Sequence, residues 1–297
     1  MKLWRIALAC VLCTAALLTG CGSSAPEAQP PAGKIPVVAS FDAMKEFTEA
    51  VGGDRVAVTT LIPAGTEPHD FQPTPHNLKS LLHARLFICN GLGMEPWADE
   101  VTAAVGNESL IIVDASRGVD AIPADSRRER FDPHCWLSLE SAQTEVQNIA
   151  DALAGADPDH ADYYQKNAAA YKEELRSLLE EYRAKFQSVP GRHFVTGHAA
   201  FAYLFRDYGL IQDSVAPVFA GGEPGPQQLA RLADLCREYG VKTIFVEEMV
   251  SPRVSETLAR EVGADAETIY TMESAEEGAS YTDRMRDNLE KIYRSLQ

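Results

Sequence analysis

The sequence predicts an α/β protein of two lobes, each a parallel β-sheet flanked by helices, joined by one long rigid helix. Three observations predict it. From residue 35 onward, apolar β-branched runs alternate with amphipathic ones, the pattern of parallel strands covered by helices on both faces. The strand-like runs fall into two groups of four: 35–41, 55–62, 86–90 and 109–114, then 193–197, 214–219, 243–247 and 267–271. Between the groups lies the most regular stretch of the chain, from about residue 158 to 187.

The chain opens with Lys2 and Arg5, an apolar run over 6–18, and then Leu18-Thr19-Gly20-Cys21. A charged start, a short apolar core and small residues before a cut mark a secretory signal, expected over 1–20. The run is shorter than the roughly 20 residues that span a bilayer. Leu-Thr-Gly-Cys resembles the lipobox of bacterial lipoproteins, in which the cysteine is lipidated and becomes the mature amino terminus, so the resemblance implies Cys21 as a membrane anchor. Residues 22–34 are too poor in apolar side chains to fold and read, with Cys21, as a flexible tether over 21–34.

The folded body then divides into an N-terminal lobe (35–157), a linking helix (158–189) and a C-terminal lobe (190–297). Helical segments are expected near 42–51, 76–84, 95–105 and 138–154 in the first lobe, and near 199–208, 226–240, 253–263 and 281–296 in the second. In the linking helix Tyr164, Ala168, Tyr171, Leu175, Leu178, Tyr182 and Phe186 recur at steps of three and four with charges between them. Such a stripe packs along one side of a helix. Pro158 opens the segment and Pro190-Gly191 closes it. Some thirty residues at 1.5 Å each reach ~45 Å, enough to brace both lobes.

Charge and cysteine usage narrow the function. The chain has 27 basic and 43 acidic residues; loss of 1–20 removes two of the former and none of the latter, a net charge of −18. This acidity argues against nucleic acid and against an electrostatic grip on anionic lipid. After the signal and Cys21 are set aside, Cys89, Cys135 and Cys236 remain. Their number is odd and their spacing fits neither a disulfide framework nor a zinc ribbon, so Cys89 and Cys236 are read as buried core thiols and Cys135 as packing. Phosphate-loop, nucleophile-elbow and His-Glu-x-x-His patterns are absent.

Three histidines each follow a strand-like run and precede a helix-like one: His69, His134 and His198. In an open α/β sheet the loops leaving the carboxyl ends of strands converge on one crevice, so the three imidazoles can meet there as a metal site. His69 sits in a loop punctuated by Pro63, Gly65, Pro68, Pro73 and Pro75, with Asp70 beside it as a carboxylate able to hold a ligand ring. His134 precedes Trp136, and Ser138 is placed to cap the next helix. His198 opens a helix, where a protonated ring is disfavoured and the neutral, metal-binding form is expected. Taken singly, each has a structural alternative, as a solvated loop residue or a satisfied core imidazole. His76, His83, His160 and His193 carry no assigned role.

Together these windows resemble the cluster A-I metal-binding lipoproteins of bacterial ABC importers for zinc and manganese. The resemblance rests on Glu67-Pro68-His69-Asp70-Phe71-Gln72-Pro73-Thr74-Pro75, Asp132-Pro133-His134-Cys135-Trp136-Leu137-Ser138, Gly197-His198-Ala199-Ala200-Phe201, Asp207-Tyr208-Gly209-Leu210 and residues 281–289. It implies a non-catalytic receptor, a monomer held by lipid to the extracytoplasmic face of the membrane, that hands an ion to a permease driven by an ATPase. It also implies ligation by His69, His134, His198 and a fourth group from the second lobe. Many members carry an aspartate there. This chain has Met272 at the aligned position and Glu273 next to it, so Glu273 is proposed, with Glu67 or water as the alternative and Met272 only for a soft ion. Three neutral imidazoles and one carboxylate suit tetrahedral zinc better than manganese, which prefers more oxygen. A carboxylate at the third position, which in the family tends to mark manganese, is absent, and so is the histidine-rich loop that zinc-type members often carry between the first two ligands. Two readings from other classes are a secreted zinc hydrolase with an open coordination position and a surface adhesin with a structural metal. Glu247-Glu248 is read as a lobe contact or a permease-docking point.

Overall fold

The structure is a computed structural model and describes residues 33–124, 130–216, 225–249 and 251–297. The signal segment, Cys21 and all of the tether except Gly33 and Lys34 lie outside the described residues. The first half runs β1 (Ile35–Ala39), α1 (Asp42–Gly52), β2 (Val56–Thr60), β3 (Leu86–Cys89), α2 (Ala98–Val105), β4 (Ile111–Asp114) and α3 (Leu139–Ala156). The long helix α4 (Ala161–Phe186) follows. The second half runs β5 (His193–His198), α5 (Ala202–Tyr208), β6 (Ile211–Ala216), α6 (Pro226–Tyr239), β7 (Thr243–Glu247), α7 (Arg253–Val262), β8 (Asp265–Ile269) and α8 (Tyr281–Ser295).

The described strands form two parallel four-stranded sheets of the same order, β2-β1-β3-β4 and β6-β5-β7-β8. Each sheet turns back on its first strand, and the carboxyl ends beside that reversal open the crevice in which α/β proteins bind ligands. Side chains alternate across each sheet, as a strand's period of two requires. Val38, Phe87 and Cys89 share an outer core with Val101 of α2. Val195 and Ile244 share another with Leu232 and Cys236 of α6 and Leu258 of α7. The inner faces, carrying Val37, Ala39 and Ile88 from one sheet and Phe194 and Phe245 from the other, belong to a single apolar cluster. The lobes thus share their largest core.

α4 braces that core. Pro158–His160 forms a 3-10 turn and the α-helix proper starts at Ala161; its 26 residues reach ~39 Å. It buries Tyr164, Ala168, Leu175, Leu178, Tyr182 and Phe186 and packs against α1 and α3 of the first half and α5 and α8 of the second. Segment 76–84 departs from the expected helix, being a short 3-10 run, Asn77–Leu82. The Asn77 carboxamide accepts bonds from the Thr74 amide and hydroxyl, local partners that compete with helix propagation.

A second seam joins the halves at the segment after β8. The first amides of α1, which lack intrahelical partners, donate to that segment: Asp42 to the Glu273 carbonyl at 3.4 Å and Ala43 to the Met272 carbonyl at 3.1 Å. The Trp136 indole donates to the Thr271 carbonyl at 2.7 Å, and the Tyr281 hydroxyl donates to the Trp136 carbonyl at 2.5 Å. Arg284, 2% exposed, donates to the Ser274 carbonyl, to Asp42 and to Glu46. Removing one partner of a buried ion pair strands the other charges. Arg284→Ala should therefore cost about 3–5 kcal/mol of unfolding free energy; an unchanged denaturation midpoint would show that the seam is not held by this side chain.

Candidate metal centre

Each of the three histidines lies at the carboxyl end of the sheets, and each is held differently. His69 sits in the 3-10 turn Pro68–Asp70 beyond β2; Glu67 caps the turn, its carboxylate accepting the His69 amide at 3.3 Å. His134 comes after β4 in the chain and immediately precedes the turn Cys135–Leu137. Asp132 receives both its backbone amide, at 2.9 Å, and its Nδ1, at 2.8 Å. An Nδ1–H given to a carboxylate leaves Nε2 as the bare, ligating nitrogen. His198 is the last residue of β5 and gives its amide to Glu247 Oε1 at 2.8 Å.

The rings converge. His69 Nε2 and His134 Nε2 are 3.0 Å apart, and the three ring centroids are separated by 5.0, 5.6 and 5.0 Å at interplanar angles of 64°, 79° and 80°. Donor atoms at the vertices of a tetrahedral zinc site stand about 3.3 Å apart, from bond lengths near 2.0–2.1 Å. The potential ligand atoms of His69, His134 and His198 lie within 4.8 Å of one another, and so do those of Glu67, His69 and Glu273. His69 belongs to both sets.

Burial keeps His69 and His134 uncharged. Burial holds the His134 imidazole down at about 3; burial and then the other two rings bring His69 to about 2. Neutral imidazole is the form a metal takes. Carboxyls shift the other way: burial raises Asp132 to about 6. Burial, followed by the neighbouring Glu67 carboxylate, pushes Glu273 well above its ordinary range.

Several sequence expectations take a different form. Asp70 is exposed, and the carboxylate that meets an imidazole nitrogen is Asp132. Met272 is buried in the shared core and adopts a left-handed backbone, φ 57°. Glu247 and Glu248 serve the site from within: Glu247 is buried and accepts the His198 amide, while Glu248 accepts the Thr271 amide at 2.9 Å beside Glu273. Cys135 is buried and donates to Glu145 at 3.3 Å, and burial raises its thiol far above the usual value, so it stays a packed thiol. Cys89 and Cys236 are likewise free and buried. His193 pairs with Asp213 and stacks on Tyr239, and His160 pairs with Asp157.

The family described as zinc-uptake complex component A, periplasmic, matches residues 37–295. The chain belongs to that family. Among its relatives is the high-affinity zinc uptake system protein ZnuA of Bacillus subtilis, 36% identical over 299 residues that cover 94% of each chain. A solved laminin-binding protein of Streptococcus agalactiae, described as bifunctional with adhesin and metal transporting activity, superposes with a TM-score of 0.84 at 34% identity over 89% of this chain and 100% of that one. The zinc-bound AdcAII variant of Streptococcus pneumoniae gives 0.83 at 30% identity over 90% and 100%. The fold class, the two parallel sheets flanked by helices, is that of this zinc-uptake family, which is an extracytoplasmic receptor family.

Gly197 packs against the support of His198. A Cβ there would collide with Glu247 Oε2 and lie 3.3 Å from the Ser255 hydroxyl. Gly197→Ala should lower the melting temperature and weaken metal binding together, because Glu247 must move and release the His198 amide. An alanine variant with wild-type affinity in calorimetry would contradict this account of how His198 is placed.

Proposed function

We propose that this chain captures zinc outside the cytoplasm and passes it to the permease of an ABC importer powered by an ATPase, acting as a monomer tethered through a lipidated Cys21. The observation that carries the reading is the convergence of the His69, His134 and His198 ring nitrogens at the carboxyl ends of both sheets, with His69 also within reach of the buried Glu273. His69, His134, His198 and Glu273 supply three borderline nitrogens and one oxygen, a set suited to tetrahedral zinc over manganese. Four protein ligands retain the ion and leave no open position for activating water, which disfavours a hydrolase. The common core disfavours wide lobe opening, so release follows from local movement of the 63–75 loop and the 271–274 segment. A receptor stays folded without its cargo and melts later with it; a chain for which the metal is structural would unfold on chelation.

Calorimetry on single variants tests the site. His69→Ala, His134→Ala, His198→Ala and Glu273→Gln should each weaken zinc binding by more than the about 10–100-fold typical of losing a supporting partner, with manganese binding weaker than zinc throughout. Unchanged zinc affinity in all three alanine variants would overturn the assignment.

Proton linkage supplies a second test. His69 and His134 are neutral well below pH 6.5, whereas Glu273 holds its proton above the ordinary carboxyl range. Zinc must therefore displace a proton from Glu273 and none from His69 or His134 at neutral pH. Affinity should rise with pH until Glu273 ionises unaided, with no break from His69 or His134 at the ordinary histidine value. Calorimetry in buffers of different ionisation enthalpy should find a proton released on binding, absent in Glu273→Gln; release that persists in that variant would place the proton elsewhere.

A further inference from the structure

The proposed coordination leaves one ligand of the crevice over. Glu67 and His69 are half-buried while His134 and His198 are buried, so Glu67 marks the solvent end of the cluster. Its loop is tied to the segment carrying Glu273, because the Gly65 amide donates to the Ser274 hydroxyl at 2.9 Å. Glu273, 5% exposed, takes the Thr271 hydroxyl on Oε2 at 2.8 Å. Its other oxygen, Oε1, has no hydrogen-bond partner among the described residues. A buried carboxylate oxygen without a donor is an acceptor that a cation completes.

We propose that Glu67, His69 and Glu273 form an outer loading station for the divalent cation, from which the ion moves inward by keeping His69 and Glu273 and exchanging Glu67 for His134 and His198. The inference rests on the receptor reading above and adds a path to it. Glu67 at the solvent end and the buried Glu273 beneath it neutralise a dication while it still holds water, and stepwise ligand exchange avoids a bare ion between sites. The station is oxygen-rich and the inner set nitrogen-rich. Zinc is drawn inward by the imidazoles, whereas cations that prefer oxygen gain little by leaving the station.

Stopped-flow mixing of the full chain with zinc, and with a chelator for release, tests the station. Glu67→Gln keeps an oxygen to cap the His69 turn but loses the charge. It should slow association and release together, each several-fold, with any change of equilibrium affinity smaller than the change of either rate, and Glu67→Asp should restore much of both rates. A ligand used in passage acts on both directions. Faster release with weaker affinity would make Glu67 a retaining ligand and overturn the station, as would unchanged rates in Glu67→Gln. A wild-type chain that takes up no zinc would overturn the receptor reading itself and the station with it.

Discussion

The hydrogen bonds from the first amides of α1 to the carbonyls of Met272 and Glu273 hold the site together. A helix start has orphan donors that must be satisfied, and here the opposite half of the chain satisfies them. That contact places Glu273 of the second half beside His69 of the first. Trp136 and Tyr281 lock the same segment from the other side, and the apolar cluster beneath runs continuously through both halves. A protein built this way assembles its ligands before the ion arrives, so little ordering entropy remains to be lost on binding.

Charge placement follows the same economy. Burial keeps His69 and His134 neutral, and the carboxylates around the site are used as acceptors for backbone amides: Asp132 for His134, Glu247 for His198, Glu248 for Thr271. Each amide bond fixes a segment that carries a ligand. Asp132, at about 6, is ionised at neutral pH and keeps negative charge beside His134, where it favours a dication without entering its coordination. The cost is a set of buried acids whose pKa values are raised, Glu247 to about 8 among them.

Much of this was legible in the sequence because it depends on periodicity. Alternating runs disclose the two sheets, the stripe from Tyr164 to Phe186 discloses the long helix, and three histidines at strand ends disclose the crevice. What depends on contact across the fold was not legible. Asp132 lies two residues before His134, yet Asp70 occupies an equally suggestive place beside His69, and only the backbone decides which carboxylate turns inward. The pair Glu247-Glu248 reads as a lobe contact or a permease-docking point until Glu247, at the end of β7, is seen to accept the His198 amide. Alignment puts Met272 at the fourth position and Glu273 next to it; in the fold Met272 takes a left-handed turn and joins the apolar core, while Glu273 comes within reach of His69. The helix expected at 76–84 is a 3-10 run because Asn77 bonds locally with Thr74, a competition that apolar spacing does not register.

The most direct measurement is diffraction at the zinc absorption edge from crystals of the full chain grown with zinc. The expected result is an anomalous peak about 2.0–2.2 Å from His69, His134 and His198 nitrogens and a Glu273 oxygen, with the Met272 and Glu273 carbonyls still bonded to α1. A peak elsewhere, or a zinc bound by the three histidines and water with Glu273 turned away, would contradict it.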